Sequence, residues 1–206
     1  MKNEVHLLEL SPWAVDYANN NQNEKFRYVA EVCDARKINR ESESADIVLL
    51  MGPLYHLQEL DERIRVLNEA KRVLKKGGLL FTVGISKFCN ALWAISNYGK
   101  EDTFLDDEVF NKMMTKEVST GVHMRPKEYP YFLTDAYFHT PLSLEKEIKS
   151  VGFNIIEKCA IEGSIWINKS FDDLWENEKS KESLLNVIRL TEHEDAIMGI
   201  SPHFNI

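Results

Sequence analysis

A chain of 206 residues, 44% apolar and 28% charged, is long enough to bury a core of its own without disulfides or metals. Its 33 acidic against 25 basic side chains give a net charge of -8 and a pI near 5.3, and no Lys/Arg block occurs, which argues against binding nucleic acid by neutralising phosphates. Three scattered cysteines (Cys33, Cys89, Cys159) without a C-x-x-C pair speak against a disulfide framework or a zinc site and for a cytoplasmic protein, while no apolar run reaches the ~20 residues of a membrane span.

In chain order, residues 5–10 (VHLLEL) read as a short strand ending in an acid. Ser11 as cap and Pro12 at the first helical position then start a helix carrying Trp13, Ala14, Tyr17 and Ala18 at helical spacing. Residues 26–33 alternate and predict a strand ending at Asp34; residues 45–51 (ADIVLLM) form the continuous apolar run of a strand covered on both faces. The clearest helix spans 60–76, with Ile64, Leu67, Ala70 and Leu74 on one face, Asp61 in its first turn, Lys75 and Lys76 in its last, and Gly77-Gly78 as its stop. Residues 79–85 (LLFTVGI) predict the next strand. Strand and helix alternating in this way predict an α/β fold with a mostly parallel sheet.

Residues 87–140 break the pattern, being aromatic-rich and poorly periodic, with a helix at 104–114 and extended pieces at 121–124 and 131–138. Beyond them come a helix at 142–151 ended by Gly152, a strand at 153–161, helices at 171–175 and 183–192, and a last short strand within 201–206.

These segments, in this order, resemble class I S-adenosylmethionine-dependent methyltransferases. VHLLELSPWAVDYA is similar to the family's second strand and following helix, VCDARKI to the end of the third strand, ADIVLLMGPLYHL to the fourth strand with its exit loop, and EAKRVLKKGGLLF to the helix, turn and fifth strand. FLTDAYFHTPLSLEKEIKSVGF and AIMGISPHFNI resemble a bacterial branch with a GPLYHL loop, whose members are presumed to methylate small molecules. The resemblance implies a Rossmann-like sheet with helices on both faces, one domain over 1–206 with its sheet core in 1–86 and 141–206, and an irregular, partly helical cap on the substrate side at 87–140. It implies S-adenosylmethionine as cofactor, held by Glu9 at the ribose, Asp34 and Ala35 at the adenine, and Met51 and Gly52 near the methyl group.

The loop after the fourth strand lies where open α/β sheets bind ligands. Pro53, Leu54 and Tyr55 are expected to wall a pocket, and His56 is a candidate base. In the cap, His123 and His139 are further candidate catalytic residues, with Asp135 and Tyr137 as pocket residues and an Asp–His pair as one way to orient a base. Each has a plainer alternative: capping or packing for His56, Asp34 as a turn cap, and local hydrogen bonds for the cap residues. Trp93, Trp166 and Trp175 either line an apolar pocket or belong to the core. No metal is expected, since the His and Asp residues lack tight ligand spacing.

One feature of the family is missing. Its first strand, glycine-rich turn and helix, a unit of roughly 30 residues, would precede residue 5, and no G-x-G occurs in the 206 residues. The expectation is an N-terminally truncated enzyme, incomplete or inactive as this chain. Two further readings stay open: a partner chain fills the gap, or the fold persists as a non-catalytic binding module. The missing strand would leave sheet edges exposed, which points to a homodimer.

Overall fold

The structure is a computed structural model that describes residues 4–23, 25, 27–99, 103–168 and 170–206. Phe26, where the second strand is predicted to start, lies outside the described residues. In chain order the helices and strands are β1 (His6–Glu9), α1 (Pro12–Asn20), β2 (Val29–Val32), β3 (Ala45–Leu50), α2 (Pro53–His56), α3 (Leu60–Val73), β4 (Leu74–Ile85), α4 (Cys89–Asn97) and α5 (Glu108–Thr120). There follow β5 (Val122–His123), β6 (Ala136–Tyr137), α6 (Pro141–Ser150), β7 (Cys159–Ala160), α7 (Phe171–Trp175), α8 (Glu178–Thr191), α9 (Asp195–Ile200) and β8 (His203–Asn205). The chain forms two compact units, Met1–Val48 with Asp61–Leu80, and Leu49–Leu60 with Phe81–Ile206.

In the first unit β1 and β2 pair in parallel, with Leu7 opposite Ala30 and Glu9 opposite Val32. The predicted cap holds: Ser11 accepts from the Ala14 amide at 3.3 Å and Pro12 opens α1. α1 is tied to this ribbon by the Asn19 side-chain amide donating to the Ala30 carbonyl (3.2 Å) and by the Tyr28 hydroxyl donating to that of Ala18 (2.7 Å). On α3 the residues Val66, Leu67 and Ala70 are fully buried, and burying a leucine such as Leu67 contributes about 1.5–3 kcal/mol.

α3 ends at Val73, three residues before the predicted stop. The carbonyls of Arg72 and Val73 are satisfied by the amides of Glu43 and Ser44 at 2.9 and 2.8 Å, so the chain leaves the helix directly into β4. The glycine pair lies inside β4 instead. Gly77 has φ of +80°, a conformation that favours glycine, and a Cβ on Gly78 would sit 2.9 Å from the Asp46 carbonyl, so only Gly78 serves a close approach of backbones.

The longer sheet runs β3-β4-β8-β7. In the second unit β8 pairs antiparallel with both neighbours, Gly84 opposite Phe204 on one side and Ala160 opposite Phe204 on the other. The fully buried Phe204 ring lies over Gly84, where a Cβ would come within 2.9 Å. Only Cys159–Ala160 of the strand predicted at 153–161 joins the ladder.

The predicted irregular segment has a core of its own. Phe110, Met113 and Ala94 are buried beneath Trp93, Phe104, Tyr129 and Phe132, whose rings pack at centroid distances of 4.8–6.5 Å. β5 and β6 pair antiparallel, with His123 opposite Ala136. Thr140 caps α6 through a capping box with Ser143. Among the described residues no helix is long and apolar enough to cross a membrane.

Candidate functional site

Glu9 and Asp34 share one end of the first unit. Glu9 closes β1, and its carbonyl accepts from the Cys33 amide at 2.9 Å, which places Asp34 just past the same end of the adjacent parallel strand. Carboxyl ends of neighbouring parallel strands are where α/β sheets bind ligands. One Glu9 carboxylate oxygen accepts from the Ser11 amide at 2.9 Å, while the other carries no hydrogen bond among the described residues.

Asp34 is more heavily engaged. Its Oδ1 accepts from the Arg36 amide (2.9 Å) and Nε (3.0 Å), and its Oδ2 accepts from Nη2 at 2.6 Å. Arg36 also reaches Glu62 on α3. The Arg36 hydrogen bonds hold the Asp34 carboxyl below its ordinary value against the opposing effect of burial. The turn-capping alternative is therefore realised. Any further donor, such as an adenine amine at Asp34 beside Ala35, shares this carboxylate with Arg36.

Residues 51–58 belong to the second unit. Gly52 precedes α2, and its carbonyl accepts from the amides of Tyr55 and His56. Leu54 is fully buried, Pro53 half-buried and Met51 exposed. Tyr55 packs on Ile85, Ala136 and Phe138 and donates its hydroxyl to the Met51 carbonyl at 3.1 Å; burial raises its pKa. Packing and this hydrogen bond hold the Tyr55 side chain in place. His56 is exposed, its ring 4.8 Å from that of Tyr55. The loop is anchored by Gln58, whose amide donates to the carbonyls of His123 (2.8 Å) and Ala136 (3.4 Å).

His123 meets a partner that sequence reading did not name. Its Nδ1 lies 2.6 Å from Glu117 Oε1 and its Nε2 lies 2.9 Å from the Leu133 carbonyl, with His123 1% and Glu117 0% exposed. Asn90 donates to both Glu117 oxygens at 3.1 Å, and the imidazole stacks on Phe138. A carboxylate and a carbonyl both accept, so this arrangement favours a ring that donates from both nitrogens. Burial alone would lower the His123 pKa, but its hydrogen bonds to Glu117 and the Leu133 carbonyl outweigh it and hold it above its ordinary 6.5. Both nitrogens being engaged, His123 braces the cap and has none with which to take a substrate proton.

Asp135 is not the partner of His123: its Oδ1 accepts from the Arg125 amide at 3.0 Å. His139 is fully buried, 3.4 Å from Glu147 Oε1 on α6, with the Tyr137 ring packed edge-on at 4.7 Å. The candidate cap histidines therefore face buried acids. Trp93 and Trp166, with Phe171 and Asp172, line a cavity of about 280 Å³, while Trp175 stacks on Phe171.

Glu117, Glu147, Gln58 and Arg36 were not singled out from sequence. A usable signal existed for the two acids. Glu117 continues the stripe Phe110-Met113-Glu117, and Glu147 lies between Leu144 and Ile148 on the buried face of α6. A lone acid on an apolar stripe needs a buried partner.

Residues 1–82 match the family model described as a methyltransferase domain. A methyltransferase structure from Methanosarcina mazei is 22% identical, with a TM-score of 0.57 over 77% of this chain and 73% of the other. One from Mesorhizobium loti is 13% identical, with a TM-score of 0.58 over 98% of this chain and 77% of the other. The fold is that of a Rossmann-like methyltransferase. A third such structure, from Clostridium acetobutylicum, is 13% identical with a TM-score of 0.53 and covers 77% of this chain and 68% of its own. All three are described as S-adenosylmethionine-dependent methyltransferases. No relative among curated proteins matches the chain.

Proposed function

We propose that this chain is a cytoplasmic methyltransferase domain that binds S-adenosylmethionine and methylates a small molecule. The observation that carries this reading lies within the matched residues 1–82: two acids, Glu9 and Asp34, end adjacent parallel strands, and one Glu9 oxygen carries no hydrogen bond among the described residues. The bound cofactor supplies a methyl group on a positively charged sulfur. The protein's work is then to hold the reactants in line and exclude water.

The acceptors suit this cofactor. Glu9 would accept from the ribose hydroxyls, with the Ser11 amide fixing its carboxylate. Asp34 would share its carboxylate between Arg36 and the adenine amine, with Ala35 beside it. With His123 engaged at both nitrogens and His139 buried, the exposed His56 is the base for an oxygen or nitrogen nucleophile. The GPLYHL loop supports kinship with the bacterial branch of small-molecule enzymes.

The 206 residues contain no G-x-G, so their affinity for the cofactor is expected to be weak. Calorimetric titration with S-adenosylhomocysteine tests the reading: weak saturable binding that Glu9→Ala abolishes supports it. Equal heats from the wild type and that variant, or none from either, would overturn it.

A second reading is a non-catalytic module that dimerises through a sheet edge. It draws on the exposed apolar side chains Val5, Leu7, Val29, Val32 and Ile47 on and beside the first unit's strands, a pattern that invites another chain. Sedimentation equilibrium distinguishes the two: a dimer that Leu7→Glu dissociates favours this reading, and a monomer removes it.

A further inference from the structure

The loop between β5 and β6 holds a cavity of about 480 Å³, lined by Arg125, Pro126, Lys127, Pro130, Thr134 and Asp135. Its size suits a small molecule. Two backbone turns shape the loop, Tyr129 N–H to the Pro126 carbonyl and Phe132 N–H to that of Tyr129, both 3.1 Å. On its inner side Tyr129 and Phe132 pack into the aromatic core, so the cavity wall is fixed from behind.

The cations of this lining differ from Arg36, Arg40 and Arg72. Elsewhere Arg36, Arg40 and Arg72 are each held by carboxylates. Arg125 instead donates Nη1 to the Pro130 carbonyl at 3.1 Å, which orients the guanidinium and leaves its Nε and Nη2 edge uncommitted among the described residues. Lys127 likewise has no carboxylate partner among them. The one acid in the lining, Asp135, spends Oδ1 on the Arg125 backbone amide, so two cations face one carboxylate that is already hydrogen-bonded. Thr134 adds a hydroxyl. A fixed guanidinium with a free edge, a second cation and a hydroxyl match an oxyanion, for which the planar Arg fork is suited.

We propose that this cavity binds the oxyanion group, carboxylate or phosphate, of a small molecule. That the molecule is also the methyl acceptor rests on the methyltransferase reading; the anion site itself does not. The test therefore uses no cofactor. The Arg side-chain Nε–H and backbone amide resonances of the full chain are followed by NMR while inorganic phosphate, and separately acetate, are titrated in. The expected result is saturable shifts at residues 125–135 below about 10 mM, weakened about tenfold in Arg125→Gln and further in Arg125→Gln/Lys127→Gln. The anion that saturates first identifies the ligand group. Both side chains are exposed, so these variants should keep the wild-type spectrum elsewhere. Shifts spread over all surface cations, shifts that persist in the double variant, or no saturation with either anion would each overturn the proposal.

Discussion

In the first unit Arg36 lies between Asp34 and Glu62 with all three side chains about a third exposed, and Lys75 meets Asp46 at the surface. In the second, Glu117 and His123 meet almost wholly buried, 0% and 1% exposed. The difference lies in what each pair must overcome. Exposed pairs gain little, because solvent already stabilises both charges. A buried pair has forfeited that solvation, so each partner depends on the other, and Asn90 and Leu133 must take up the remaining hydrogen-bonding capacity. The Arg36 and Lys75 pairs lie at the first unit's surface, whereas the Glu117–His123 pair sits in the second unit's interior.

The strongest way to break this comparison is Glu117→Ala. It leaves the His123 imidazolium buried with one nitrogen unpaired and should cost about 3–5 kcal/mol, read as a fall in the urea midpoint. A cost below about 1 kcal/mol would mean that the site behaves like the surface pairs.

A smaller effect follows from pH, because only the proton leaves. The folded pKa of His123 is raised above its ordinary 6.5, so its stabilisation is fully present below that value and is lost as pH rises through the folded pKa. Deprotonation takes the imidazole donor away from either Glu117, which keeps only Asn90, or the Leu133 carbonyl. Asp135 also favours the charged ring, and the nearby Cys89 thiol, which burial and then Glu117 push up to about 12, stays neutral across this window. Melting temperature should therefore decline between about pH 6 and pH 9, and His123→Gln should flatten the decline. An unchanged slope in that variant would assign it to another group.

Gly84→Ala probes packing without charge. Its Cβ would meet the buried Phe204 ring at 2.9 Å, which predicts a loss of about 1–3 kcal/mol by overpacking, measured by the same denaturation.

Much of the scaffold was readable because local rules agree with it. Ser11-Pro12 starts α1, the helix predicted at 142–151 is α6, and the run 45–51 becomes β3, although Ile47, Leu49 and Met51 are exposed rather than covered on both faces as predicted. α4 was missed because CNALWAISN is apolar nearly all round and has no polar face to set its period. The strand at 153–161 was overcalled because pairing is a tertiary event: a run such as FNIIEKCAI becomes strand only where β8 reaches it. At the candidate site, Glu9 and Asp34 were legible as acids ending strands. The commitment of Asp34 to Arg36 and of His123 to Glu117 was not, since ring direction and partner choice depend on packing that spacing does not encode.

The smallest effect is expected at Arg36. Removing it in Arg36→Ala strips Asp34 of three hydrogen bonds and Glu62 of its ion pair, a large loss on paper. Yet both carboxylates regain water at once, and Asp34 keeps the backbone amide of residue 36. Stability should change by no more than about 1 kcal/mol, and less in added salt. The functional consequence runs the other way. Freed from Arg36, the Asp34 carboxyl should titrate nearer its ordinary value and offer both oxygens to a ligand. If Asp34 meets the adenine amine, Arg36→Ala should bind S-adenosylhomocysteine at least as tightly as the wild type; if Arg36 itself orients that carboxylate toward the ligand, binding should fall. Calorimetry on this one variant decides whether the Asp34–Arg36 pair competes with the cofactor or prepares its site.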